Sequence, residues 1–198
     1  MTLREHLDQF YRQYNIPENG GVDDKTFEVP LPHLTLKLPN YPWRKRMLYI
    51  HDLEHVLNRQ DTTWKGEMFI ASWEIATGFY QNFPVIVFPL WTMGWGIWRH
   101  PKTVFTAFRK GFFDKGITRL GFKQEELLEM DLTQLELLTL NKRRQRSRLS
   151  FWSRLFSWGL LSQFVFLLPL VVLAVFFSML FYWEIGRDNT LKKNLIRK

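Results

Sequence analysis

Two histidines one helical turn apart, His51 and His55, lie in the run YIHDLEHVLNRQDTTWKGE, with Asp52 between them and Glu67 twelve residues after the second. Imidazoles at this spacing chelate a divalent ion from one helix. A carboxylate from a neighbouring helix then completes a three-ligand site, with positions left for water or substrate. Asp52 is either a fourth ligand or the outer partner that orients an imidazole. Glu74, seven residues after Glu67, shares its helix face two turns on. The competing reading is a surface helix whose histidines are solvated.

Such a site needs two antiparallel helices. The first runs from near Pro42 and Trp43 to about Asn58. On a wheel of about 100° per residue, His51, Asp52 and His55 fall on one side, opposite Tyr49, Ile50, Leu53 and Leu57. NRQD turns the chain, and Asp61, Thr62 or Thr63 caps a second helix that runs to about Tyr80. Residues 3–14 read as an amphipathic helix ended by NIPENGG. Residues 27–39, with Pro30, Pro32 and Pro39, read as extended or looped, and 101–112 and 123–140 carry further helical pattern. The expected fold is an all-α domain over 1–150, with its core motif at 43–80, followed by a membrane anchor over 151–198.

Composition narrows the chemistry. The 198 residues include no cysteine, which excludes disulfides, thiolate ligands and a cysteine nucleophile, so any metal is held by His, Asp or Glu. Lys and Arg number 27 against 19 Asp and Glu, a net charge of +8, and aromatics make up 17 %. Basic and aromatic together point to nucleic acid or a membrane surface. The C-terminal third favours the membrane: no charge interrupts Gly159 to Trp183, and the stretch 160–183 spans about 36 Å as a helix. Pro169 is tolerable inside such a span, and Trp158, Tyr182 and Trp183 sit where interfacial anchors belong.

NKRRQRSR precedes the span, with Lys142, Arg143, Arg144, Arg146 and Arg148. It lacks the interleaved aromatics of a nucleic-acid module and suits an anchor on anionic lipid, so no nucleic-acid partner is expected. MTLREHLDQFYRQY has no apolar core for a signal peptide, and Glu5 and Asp8 disfavour a transit peptide. The first 150 residues are therefore expected to face the cytoplasm, at a bacterial inner membrane. A shorter apolar stretch, residues 83–98, is broken by Pro84, Pro89, Gly94 and Gly96. It reads either as a membrane-dipping segment, with Trp91, Trp95 and Trp98 at headgroup level or lining a lipid pocket, or as an aromatic part of the core.

HDLEHVL, the following DT and GE, and the eleven residues between His55 and Glu67 resemble the HDxxH(x11)E signature of the Coq-four family of ubiquinone (coenzyme Q) biosynthesis proteins. RKRMLYIHDLEH and GEMFIASWE resemble the Arg-rich lead-in and aromatic–glutamate pair of that family, here Trp73 and Glu74, and AFRKGF at 107–112 is a weaker likeness. The resemblance implies a helical fold in which His51, Asp52, His55 and Glu67 hold a metal and carry the chemistry. Zinc leads, with iron(II) or manganese open. It implies a polyprenylated hydroxybenzoate-like ring as substrate, replacement of its C1 carboxylate by hydroxyl as the reaction, and other quinone-biosynthesis proteins as partners. Association as a homodimer is left open.

Two features depart from the family. It commonly has glycine where this chain has Arg59, which is expected either to clamp an acidic substrate group, with Glu74 as a second substrate candidate, or to cap its helix. Its members are usually peripheral, so the terminal span is an addition. A zinc peptidase is disfavoured, because HExxH requires glutamate where Asp52 stands. The stronger rival is a non-catalytic scaffold that binds prenyl lipid and organises a biosynthetic complex.

Overall fold

The computed structural model describes residues 1–31, 33–78, 85–140 and 147–196, with the side chains of Pro30, Leu31 and 180–196 left aside. Lys142, Arg143, Arg144 and Arg146 of the basic run lie outside the described residues, as do Phe83 and Pro84. The fold is mostly helical, as expected, with one small antiparallel ribbon and one long apolar C-terminal helix.

Helix α1 (Leu3–Tyr14) starts at a capping box, in which the Thr2 hydroxyl accepts from the Glu5 amide and Glu5 accepts from the Thr2 amide. Its buried stripe, Leu3, Leu7, Phe10 and Tyr11, follows the helical period and packs on α2 (Pro42–Asn58). Between them, β1 (Thr26–Leu31) pairs with β2 (Leu34–Pro39), with Phe27 opposite Leu38, Val29 opposite Leu36 and Leu31 opposite Leu34. Of the two expectations for 27–39, extended and looped, the described residues take the extended one. A two-stranded ribbon accepts Pro30 and Pro39 because each strand has a free edge, where a missing N–H leaves no ladder bond unmade.

Pro42 begins α2 at a position where its absent N–H costs nothing, and Arg59 ends it in the left-handed conformation at φ 53°. Helix α3 (Trp64–Thr77) is capped by Thr63 and ends at Gly78, so the described helix stops short of the expected Tyr80, which lies outside the described residues. The helix is buried nearly all round: its far side packs on α4 (Val87–Arg99) and α5 (Pro101–Phe113). Gly111 permits the closest approach, since a Cβ there would run into the Trp73 carbonyl oxygen. Trp73 itself is sealed in the core and donates its indole N–H to Asp114 at 2.8 Å.

The 123–140 pattern divides into α6 (Gln124–Leu128) and α7 (Leu132–Thr139), because the Asp131 carboxylate caps a new start at the Gln134 amide. Helix α8 (Arg148–Ile196) closes the domain and leaves it. Phe151 is buried against Phe108 and Phe112 of α5. Farther along, α8 lies antiparallel to α4: Ile97 sits beside Gly159 and Trp91 beside Phe166. Gly94 makes this approach possible, as a Cβ would collide with the Ser162 carbonyl oxygen and with Phe166. The stretch 83–98 thus contributes a packed helix, with Leu90 and Met93 in the core. Beyond Phe166 the described side chains of α8 are exposed, and the helix is long and apolar enough to cross a membrane.

Candidate metal centre

Helix α2 carries His51 and His55 on the side that faces α3, and Glu67 meets them from the first turn of α3. His51 Nε2 is 3.3 Å from Glu67 Oε2, His55 Nε2 is 3.3 Å from Glu67 Oε1, and the two Nε2 atoms are 3.3 Å apart. One donor atom from each of the three lies within 4.8 Å of the others, an arrangement able to hold a metal ion. The solvated-helix alternative does not describe this place: His55 is only 1 % exposed and stacks on Phe10.

The donor set suits a divalent ion. Two imidazole nitrogens that face each other with a carboxylate between them require a cation or a proton to hold their lone pairs together, and among the described residues His55 Nδ1 is buried without a hydrogen-bond partner, while Nε2 faces the other two donors. His51 Nδ1 faces Glu74 Oε1 at 3.0 Å. With Nδ1 protonated toward that carboxylate, Nε2 can ligate an ion in place of a proton, the usual carboxylate–histidine support of a metal ligand. Burial alone would depress the His51 pKa, but hydrogen bonding to Glu67 and Glu74 overrides it and raises the pKa well above the ordinary value. Burial would likewise raise Glu67, yet His55 and His51 hold it far below the carboxylate range.

Asp52 occupies a neighbouring place. A residue adjacent to His51 is turned by about 100° on the helix, and the Asp52 carboxylate accepts a hydrogen bond of 2.9 Å from the buried Tyr11 hydroxyl of α1. It belongs to neither of the ligand groups found among the described residues. Burial pushes its pKa up, against the pull of His51 and His55.

Glu54 had no place in the sequence reading. It is fully buried, and with His51 and Glu74 it forms a second group of converging donors. Burial and then the adjacent Glu74 push its pKa well up. Its signal was available, since Glu54 lies three residues after His51 and shares its face; a charged residue in a helix simply reads as solvated.

Both the triad and Asp52 open on a cavity of about 1080 Å³, whose walls include Phe27, Trp43, Trp64, Phe88 and Trp91. Trp64, Trp91 and Trp95 form a ring cluster on this side. Arg44 supplies a cation to the wall: its guanidinium lies 3.8 Å from the Phe27 ring centroid and donates to Asn40 at 3.0 Å. Burial lowers its pKa while Asp52 and Glu67 pull the other way, and an arginine so placed stays charged at neutral pH. Arg59 is not among the lining residues. Its side chain is exposed and reaches Glu136 at 3.4 Å. The left-handed backbone at 59 is a conformation in which glycine is unstrained, which gives a physical reason for a glycine at that place. Glu74 does line the cavity.

The centre thus joins a preformed three-donor group to a large, aromatic-walled chamber. No family model matches the chain, and no match is found among curated proteins or among solved structures.

Proposed function

We propose that the chain is a membrane-anchored, metal-dependent protein of the ubiquinone-biosynthesis type, acting on a polyprenylated hydroxybenzoate-like substrate as a decarboxylase/hydroxylase, in which the C1 carboxylate leaves as carbon dioxide and dioxygen, as co-substrate, takes the two electrons that replacement by hydroxyl releases. The observation that carries this reading is the chamber, large enough for a ring and part of an isoprenoid tail, with the three donors and one arginine at its polar end. A divalent ion held by His51, His55 and Glu67 would supply Lewis acidity toward a phenolate or carboxylate. Zinc heads the candidates, with iron(II) and manganese compatible with the same donors.

The chain's own groups have defined tasks. Glu74 holds the His51 ring and its Nδ1 proton. Tyr11 keeps the Asp52 carboxylate oriented beside the chamber. Arg44 offers a guanidinium to the acidic group of the ring, and the tryptophan and phenylalanine walls exclude water and receive the tail. The apolar span of α8 anchors the domain, which on this reading faces the cytoplasm at a bacterial inner membrane with other quinone-biosynthesis proteins as partners. The scaffold alternative shares the chamber and the anchor and lacks turnover.

The test is elemental analysis and lipid extraction of protein purified from membranes, followed by incubation of the loaded protein with a prenylated 4-hydroxybenzoate. About one metal per chain, a co-purified prenylated aromatic and loss of the carboxylate are expected. A protein that carries no metal and accepts none overturns the site reading, and a loaded protein without turnover leaves the scaffold.

A further inference from the structure

We infer that the bilayer meets this domain at the N-terminal end of α4 and the apolar face of the β1–β2 ribbon, and that this rim is the entrance by which an apolar ligand passes laterally from the membrane into the chamber. The inference rests on the membrane-anchored, lipid-binding reading above and adds a direction to it.

The direction comes from the packing of α4 on α8. Ile97 lies beside Gly159, Trp98 donates to Gln163 at 2.6 Å, and Trp91 lies beside Phe166, so α4 runs antiparallel to α8 and its N-terminal end points where α8 leaves the domain. At 1.5 Å per residue, Val87 is about 6 Å beyond Trp91 and roughly level with residue 170 of α8. There α8 is already in its exposed apolar section, in which the described side chains from Leu167 to Met179 are open and uncharged. Residues 167–183 alone make about 25 Å of helix, close to the thickness of a bilayer core. The membrane boundary set by α8 therefore falls beside α4. Arg99 and Lys102 are exposed at the opposite end of α4, and the exposed charges of the ribbon, Glu28 and Lys37, are paired on the face opposite Val29 and Leu36.

The same end is the mouth of the chamber. Phe88 lines the cavity yet is 39 % exposed, and its ring lies 6.1 Å from Phe27 of the ribbon. Directly opposed residues share a face in an antiparallel pair, so Leu36 lies on the face of Val29, which lines the cavity. Leu36 is 37 % exposed and Leu34, at the tip, 58 %. An apolar rim that is continuous with a candidate span and opens into an apolar chamber fits one occupant, the acyl region of a bilayer.

The natural absence of cysteine allows single-cysteine labelling of the full chain in phospholipid nanodiscs. Fluorophores are placed at Phe88→Cys, Leu36→Cys, Phe176→Cys and Glu129→Cys, with nitroxide-bearing lipids as quenchers. The expected result is quenching at 88 and 36 several-fold stronger than at 129, as at 176. Quenching at 176 with 88 and 36 no different from 129 overturns the inference alone, whereas no quenching at 176 overturns the membrane anchor on which it rests. The entrance is tested with Leu36→Glu, at a rim residue outside the cavity wall, by energy transfer from the chamber tryptophans to a pyrene-labelled long-chain alcohol delivered from vesicles. Transfer should slow at least tenfold, with loading from detergent unchanged. Equal rates overturn the entrance, and a wild type that does not load even from detergent overturns the lipid chamber itself.

Discussion

Replacing His55 by Gln removes one of three convergent donors while roughly keeping side-chain size, so it isolates the metal from the packing. In the wild type, free metal at a hundred times its dissociation constant stabilises the folded state by about 2.7 kcal/mol. For a domain of this length each kcal/mol moves the midpoint by about 2–4 °C, so loading should raise it by about 5–11 °C. His55 Nε2 faces both His51 Nε2 and Glu67 Oε1 at 3.3 Å, so its loss removes a direct ligand. The weakening should exceed the ten- to hundredfold typical of an outer partner. At the same metal concentration the variant then gains at most about 0.4 kcal/mol, a shift under about 2 °C. The assay is a thermal scan of tryptophan fluorescence in detergent with and without metal, beside elemental analysis. The gain is compared within each variant because Gln introduces a buried amide whose own cost is about 1–3 kcal/mol. A variant that keeps the full metal-induced shift and one bound ion would refute the assignment of His55 and put the ion elsewhere.

Glu74→Gln should keep the ion but bind it ten- to a hundredfold more weakly, because the amide still reaches His51 Nδ1 without the carboxylate charge; competition with a chromophoric chelator measures it. In the metal-free protein the His51 pKa is raised, so its interactions with Glu67 and Glu74 contribute stability that is complete below about pH 6.5 and is lost as pH rises through the raised value. Metal must displace that proton, so the midpoint gap between loaded and metal-free protein should widen as pH rises, and a gap that narrows would count against the His51 environment. Arg59→Gly should stabilise by up to about 1 kcal/mol, since it relieves a left-handed non-glycine residue and loses only an exposed pair with Glu136. Chemical denaturation reads it, and a clear loss of stability would give Arg59 a role that its exposure does not suggest.

The triad was legible because its signal is local: two imidazoles one turn apart and a carboxylate just after a capped turn meet wherever two antiparallel helices form. Helices α1, α2 and α5 were legible for the same reason, from caps, prolines and apolar period. What escaped depends on contacts across the chain. Asp52 is held by Tyr11, forty-one residues away, and Glu54 converges with Glu74, which comes from another helix. For 27–39 extended and looped both stayed open, because Pro30 and Pro39 fit a strand only along a free edge. The split of α6 from α7 turns on one carboxylate, Asp131, inside a continuous helical pattern. Of the two readings of 83–98, the packing supports the one that makes it part of the core: Leu90 and Met93 are buried there, and Trp91 lines the cavity.

The division between domain and anchor is best probed at Gly94. The first turns of α8 belong structurally to the domain, since Phe151 is buried against α5 and Ser162 against α4. The three donors come from α2 and α3, and α4 packs between α3 and α8. Gly94→Val puts two methyl groups where even a Cβ meets the Ser162 carbonyl oxygen and Phe166. Overpacking of this kind costs about 1–3 kcal/mol, a drop of about 2–12 °C at this chain length. Because the groups that a Cβ at 94 would meet belong to α8 and the three donors to α2 and α3, metal content should stay at about one ion per chain. The lost packing should appear instead as faster proteolysis near the start of α8. Unchanged stability would mean that α8 does not rest on α4, and loss of the ion together with the packing would mean that the centre depends on the anchor through α3.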